Sequence, residues 1–344
     1  MNPGVTQKSF GSDNHSGVHP LVLKALADAN TGHMPAYGAD PVTARARELI
    51  REALGRKDAE VFFVFTGTAA NTLAIRAACR SFEAVVATDI AHINEDECGA
   101  PEFNTGSKIL AFEHQGGKLP LSVIEELSIN PDDPHRVLPK LISLTQATEM
   151  GTVYTLKEIR EVCEAAHAKK LLVHMDGARL SNAAVHLGCS FADMARSVDV
   201  LSFGGTKNGL LCAEAVVFLN PEIADKFSFV RKQSMQLASK MRYLSCQFLP
   251  YLEHDLWRKN AAQANAMALY LRAAIQNTLP EAVFPYPTEA NEVFVIVPEP
   301  YAARVRQHGP AYLWDKPTGL LRLVCAFDTT SEDVDHLMSR VRES

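Results

Sequence analysis

The 344 residues, 47% hydrophobic and 22% charged, are enough for one large domain with a smaller appendage and have an ordinary globular composition. Lys and Arg total 34 against 40 Asp and Glu, a net charge of −6 with no basic stripe interleaved with aromatics, which argues against nucleic acid as a partner. No apolar stretch is long enough to cross a bilayer, 1–10 lacks the apolar core of a signal peptide, and the seven cysteines form no CxxC pair, so the expectation is a cytoplasmic chain with reduced thiols and no membrane association.

In chain order, a polar arm carrying Ser12-Asp13-Asn14 reads as a turn and N-cap, with a functional role held open, before a helix over Pro20–Ala29. A loop with an aromatic tip, Tyr37, leads into a helix over Thr43–Leu54. Glu60–Phe65 is a short apolar run with β-branched and aromatic residues. It stops at Thr66-Gly67-Thr68, and a helix is predicted over Ala69–Arg80. The free N–H groups at such a helix start make Gly67 and Thr68 a candidate phosphate cup, without the spacing of a nucleotide P-loop or a dinucleotide fold.

Further apolar runs at 84–87, 108–112, 141–144, 171–175, 198–203 and 213–219 alternate with helical patterns at 121–127, 156–168 and 191–195. Such alternation predicts an α/β fold with a mainly parallel sheet covered on both faces, its ligands outside the carboxyl ends of the strands. Beyond 219 the pattern turns helical, over 221–231, 235–251 and 257–275. Strands of a separate smaller α+β unit follow at 282–300 and 319–327, closed by a helix at 331–341. The division drawn is a large domain at 1–250, including the arm, and a small one at 251–344.

Strand ends carry the chemistry. His92 lies in Ala91–Gly99, whose crowded acids and thiol lack metal-ligand spacing; the stretch reads as a polar loop, with His92 either structural or stacked on a flat cofactor. Glu149 is either a turn acid or an acid facing the site. Asp176 ends a wholly apolar run, where an isolated carboxylate is costly without a positive partner such as a protonated pyridine nitrogen. Lys207 follows two glycines at a later strand end. A phosphate cup, an aspartate and an amine are what pyridoxal 5′-phosphate requires.

Ser12-Asp13-Asn14, Tyr37-Gly38-Ala39-Asp40, Phe65 to Asn71, Ala91-His92, Asp176 to Arg179, Gly205-Thr206-Lys207 and Leu321 to Val324, in this order over nearly the whole chain, resemble the low-specificity L-threonine aldolases of the aromatic amino acid β-eliminating lyase group. The resemblance implies fold type I of the pyridoxal phosphate enzymes, with a mainly parallel seven-stranded sheet, a small α+β C-terminal domain and a homodimer or homotetramer with shared sites. It implies that Lys207 bonds to the cofactor with Thr206 beside it, Asp176 pairs with the ring nitrogen, His92 stacks on the ring, and Gly67 and Thr68 bind the phosphate. Arg179 would meet the phenolic oxygen and the substrate carboxylate, Ser12, Tyr37 and Arg322 would complete the substrate contacts, and Arg231 or Lys232 would reach a neighbouring subunit's phosphate. No metal is implied.

The implied reaction is retro-aldol cleavage of L-threonine, L-allo-threonine or related β-hydroxy-α-amino acids to glycine and an aldehyde. Many members carry Asn-Thr-His-Asn where this chain has Ala147 to Met150, so Glu149 stands near a position held elsewhere by histidine. The base is His92 or a water it holds, ranked ahead of Glu149. A phenylserine-type aldolase, a β-eliminating lyase or an aminotransferase would use the same cofactor set, and a non-catalytic cofactor-binding protein is the rival from outside enzymology.

Overall fold

The computed structural model describes residues 8–342. Seven strands build the larger sheet: β1 (Glu60–Val64), β2 (Glu83–Thr88), β3 (Lys108–Phe112), β4 (Leu138–Thr145), β5 (Leu172–Gly177), β6 (Val200–Gly204) and β7 (Glu214–Phe218). Their order is β1-β7-β6-β5-β4-β2-β3. All the neighbouring pairs are parallel except those of β7, which runs antiparallel to both β1 and β6.

Period-two alternation sends each strand's residues to two separate cores. On one face Leu201 and Phe203 of β6 and Ala215 and Val217 of β7 join Phe63, Phe191, Phe248 and Trp257. On the other, Val200, Val216 and Phe218 pack with Ala70, Leu73 and Ala74 of the helix Gly67–Ala78 and with Phe227. Burial on both faces is why these strands read as apolar runs. A fully buried Phe203 contributes about 1.5–3 kcal/mol by transfer, and its loss to alanine would cost about 3–5 kcal/mol.

A second sheet, of β8 (Glu292–Val295), β9 (Tyr312–Asp315) and β10 (Leu320–Val324) in the antiparallel order β8-β10-β9, carries a core of its own. Helices Tyr301–His308 and Ser331–Arg342 pack there. The helix Leu256–Thr278 serves both cores, giving Leu256 and Trp257 to the large one and Ala268, Leu271 and Ile275 to the small one. Phe10 of the N-terminal arm is seated in the small core; its N–H donates to the Gly309 carbonyl (2.8 Å) and its carbonyl accepts from Val324 N–H (2.7 Å). Ser12 and Asp13 are thereby delivered to the seam between the sheets.

Five stretches differ from the predicted elements. The helix expected over 235–251 is broken into Arg242–Ser245 and Phe248–Glu253 after an irregular segment opened by Met235 at φ 63°. The one expected over 221–231 is split by Lys226 at φ 56°, a left-handed backbone no helix tolerates. The strand expected over 282–300 shrinks to β8, the helix Tyr301–His308 and strand β9 follow, and Leu180–Leu187 is a helix where none was predicted. The polar loop expected at 91–99 holds a short helix, His92–Glu95.

Candidate active site

Because β1, β2, β4, β5 and β6 are parallel, their carboxyl ends share one edge of the sheet, and antiparallel β7 brings its first residue, Glu214, to the same edge opposite Val64 and Gly204. The loops there carry Thr66 to Thr68 after β1, His92 after β2, Glu149 after β4, Asp176 on β5 and Lys207 after β6. They surround two adjoining cavities that share Asn14, His92 and Lys207. One, of about 350 Å³, is lined by Thr66, Gly67, Thr68, Asp176, Thr206 and Glu214, among others. The other, of about 610 Å³, is lined by Ser12, Glu149, Arg179, Trp314 and Arg322, among others.

Lys207 sits in a single 3-10 turn, Thr206–Asn208, pinned by its neighbour: Asn208 Nδ2 donates to the Tyr251 hydroxyl (3.0 Å) and the Trp257 carbonyl (2.9 Å). β6 can approach β5 this closely because residue 204 is glycine; a Cβ there would lie 2.7 Å from Ala178 Cα. Burial and the nearby Arg179 charge lower the Lys207 ammonium below its ordinary range, against the opposing pull of Asp13, Asp176 and Glu292. An amine so placed is closer to its nucleophilic neutral form than a surface lysine.

Asp176 is held from two sides. Its Oδ1 accepts from the Ala178 N–H (2.9 Å) and its Oδ2 from Asn71 Nδ2 (2.7 Å). Burial raises its pKa, but His92, Lys207 and these hydrogen bonds bring it below the usual carboxylate range, so a fixed negative charge stands on the cavity wall. Asn71 also donates to Glu97 Oε1 (2.9 Å), and the same oxygen meets His92 Nδ1 at 2.8 Å.

In the larger cavity the arginines have carboxylates of their own. Arg179 donates Nε and Nη2 to the two oxygens of Asp13 (2.8 and 3.1 Å), and Asp13 also accepts from Asn291 (3.1 Å). Glu292 is buried within ion-pair distance of both Arg179 (3.5 Å) and Arg322 (3.8 Å), yet makes hydrogen bonds to neither. The Arg322 guanidinium lies over the rings of Tyr312 and Trp314, 5.3 and 4.8 Å from their centroids. Glu149 Oε1 accepts from the Thr145 hydroxyl (2.7 Å) and the His92 N–H (3.0 Å), while Oε2 is buried with no hydrogen-bond partner among the described residues. Burial pushes this carboxyl up to about 7.

The donor set fits pyridoxal phosphate. The cap of the helix Gly67–Ala78 uses the N–H groups of Ala69 and Ala70, leaving those of Gly67 and Thr68 for an anion, and a Cβ built on Gly67 would meet open space. Asp176 is a buried carboxylate suited to a pyridinium nitrogen, and Lys207 is a buried amine beside it.

Of the residues singled out from sequence, Ser12, Gly67, Thr68, His92, Glu149, Asp176, Arg179, Thr206, Lys207 and Arg322 line these cavities. Tyr37 and Arg231 do not. Tyr37 is 52% exposed, with Lys232 Nζ 5.1 Å from its ring centroid, and Arg231 is buried against Phe62 and donates to the Phe63 carbonyl (3.3 Å). Sequence reasoning missed Asn71, Glu97, Glu214, Asn291 and Glu292, and for Asp13 it held a functional role open beside a turn without assigning one. Asn71 closes the Phe65 to Asn71 motif, a signal that was available; Glu292 has none, as it hides in an apolar strand.

The fold and the site together define a fold type I pyridoxal phosphate enzyme. Residues 9–300 match the model of the beta-eliminating lyase family, and the chain belongs to that family. It is 42% identical to the low specificity L-threonine aldolase of Pseudomonas aeruginosa over 97% of both chains. The structure of a Leishmania major threonine aldolase superposes with a TM-score of 0.90 at 30% identity, covering 97% of this chain and 98% of that one. Aspartate aminotransferase from Thermus thermophilus, at 14% identity and a TM-score of 0.72 over 96% of this chain and 89% of that one, shares the fold alone.

Proposed function

We propose that this chain cleaves L-threonine, L-allo-threonine and related β-hydroxy-α-amino acids to glycine and an aldehyde. The observation that carries this is the junction of the two cavities at Lys207: cofactor chemistry on one side, and on the other a chamber with Arg179, Arg322 and Ser12 for a carboxylate.

Bound pyridoxal phosphate supplies the sink for the electron pair released when Cα–Cβ breaks. Lys207 would hold the cofactor through its buried amine. Asp176 would supply the negative charge for the ring nitrogen, Gly67 and Thr68 would offer N–H groups to the phosphate, and His92 would lie against the ring. Arg322 and Arg179 grip the substrate carboxylate and so fix which Cα bond stands across the ring plane. The β-hydroxyl proton goes to His92 Nε2 or to a water that it holds, and the free oxygen of Glu149 orients that hydroxyl.

We further infer a homodimer or homotetramer in which sites are shared. Lys207 is the sole cation among the lining residues of the smaller cavity, and it is committed to bond formation, so the phosphate takes its counter-charge from a second copy. Tyr37 and Lys232, exposed and outside this chain's own cavities, support that arrangement. No helix among the described residues is long and apolar enough to cross a membrane, and with the described cysteines all free we place the chain in the cytoplasm.

Product analysis with L-threonine, L-allo-threonine and phenylserine as separate substrates tests the reading. Glycine with the matching aldehyde is expected. Ammonia with a keto acid would overturn it in favour of β-elimination, and a keto acid without free ammonia would overturn it in favour of transamination.

A further inference from the structure

A buried chain of hydrogen bonds runs from His92 to Asp176 through two residues that have no role in the reaction as described. His92 Nδ1 meets Glu97 Oε1 at 2.8 Å; Asn71 Nδ2 donates to that same oxygen at 2.9 Å and to Asp176 Oδ2 at 2.7 Å. Asn71, Glu97 and Asp176 are all buried, whereas the His92 side chain is 36% exposed and lines both cavities.

Packing alone does not account for Glu97. Its side chain is wholly buried, and Oε2 has no hydrogen-bond partner among the described residues. Burying a carboxylate costs several kcal/mol unless it is paired, and an apolar residue would fill the space without that cost. The one ionisable group it pairs with is the imidazole on the cavity wall. A carboxylate on one imidazole nitrogen fixes the tautomer and sets the basicity of the other.

We propose that Glu97 and Asn71 are a positioning pair: Glu97 holds the His92 proton on Nδ1 and leaves Nε2 as the ring atom open to the cavity, while Asn71 spends its two amide hydrogens keeping Glu97 and Asp176 apart but joined. The assignment of tautomer stands on the geometry; its consequence, an Nε2 ready to accept the β-hydroxyl proton, rests on the function proposed above. The His92 backbone is fixed from the other side, its N–H donating to Glu149 Oε1 (3.0 Å), so ring and main chain are both clamped by carboxylates.

The charges around the ring agree. Burial by itself would lower the His92 pKa, and Lys207 lowers it too, but the Glu97 hydrogen bond and the Asp176 charge together raise it above the ordinary histidine value. Burial raises Glu97 in turn, against His92 and Asn71. Glu95, Asp96, Glu149, Arg179 and Arg322 line the same chamber, and substitution of Glu97 leaves them in place.

The test is nitrogen-15 NMR of histidine-labelled cofactor-free protein, with the His92 signals assigned by their loss in His92→Gln. Neutral His92 is expected as the Nδ1–H tautomer, and Glu97→Gln should lower its titration midpoint by about one unit or more. An Nε2–H tautomer in the wild-type protein would overturn the proposal. So would an unchanged midpoint in a folded Glu97→Gln variant, with folding checked by thermal melt. The wild-type tautomer decides the matter by itself where the variant does not fold. Neither cofactor binding nor threonine cleavage enters the measurement, so failure of the functional reading would leave this result readable.

Discussion

Arg179 grips Asp13 through two parallel hydrogen bonds of 2.8 and 3.1 Å, with both side chains buried at the seam between the two sheets. Asp13 arrives on the arm anchored by Phe10, and Arg179 follows the end of β5. The pair therefore ties the arm to the wall of the larger cavity and orients a guanidinium that would otherwise have many rotamers.

Asp13→Asn should destabilise the protein by about 3–5 kcal/mol, because it removes the hydrogen-bonded partner of Arg179 and leaves only Glu292, 3.5 Å away and not hydrogen-bonded, to offset that charge. Burial raises the Asp13 pKa, but Arg179 and Lys207 hold it below the ordinary value. A depressed carboxylate stabilises the fold above its unfolded pKa, and that contribution is lost as pH falls through its folded pKa. Denaturant melts of wild type and variant should accordingly differ most near neutrality and converge in strong acid; a difference independent of pH would count against the ion pair. The variant should also raise KM for the amino acid more than it lowers kcat.

Glu149 and Glu214 run the opposite way. Burial pushes each from 4.5 to about 7, so the folded state holds more protons than the unfolded state between those values and stability falls as pH rises through that window. A displacement of that size corresponds to on the order of 3 kcal/mol for each group. Glu149→Gln in cofactor-free protein should be more stable than wild type at pH 8 and indistinguishable at pH 4, by urea titration. A variant no more stable at pH 8 would mean that Glu149 is solvated or paired.

Among the described residues, a methyl at position 67 meets nothing within 4 Å beyond its own chain neighbours and helix backbone, and Gly67 lines the smaller cavity at a helix start. Gly67→Ala should leave the melting temperature within a few degrees of wild type while weakening pyridoxal phosphate binding at least tenfold, measured by absorbance titration. Undiminished affinity would place the phosphate elsewhere.

The large sheet was legible because its strands are buried on both faces and read as apolar runs bounded by glycines, and Asp176 and Lys207 were legible as polar residues ending such runs. The breaks at Lys226 and Met235 were not, since a left-handed turn at a non-glycine residue leaves no mark on hydrophobic periodicity. Glu97 escaped for another reason. Its importance lies in meeting Asn71, from the helix Gly67–Ala78, together with His92, and spacing along the chain carries no trace of that. Tyr37 was read as the aromatic tip of a loop; it is 52% exposed and lines neither of the two cavities that meet at Lys207.

His92→Ala and Glu149→Gln separate the two acids and bases beside the substrate chamber. With the β-hydroxyl proton assigned to His92, alanine there should cost roughly 10²–10⁴-fold in kcat, and the Glu149 variant less. A larger loss in Glu149→Gln would reassign the proton to that carboxyl.

The most direct measurement is the conversion of L-threonine to glycine and acetaldehyde by cofactor-loaded wild type and Lys207→Ala, followed in parallel with the absorbance of the bound cofactor. Wild type should yield the two products in equal amounts, and the variant should lose both the lysine-linked absorbance band and nearly all turnover. A Lys207→Ala protein that keeps the band and the wild-type rate would contradict the account.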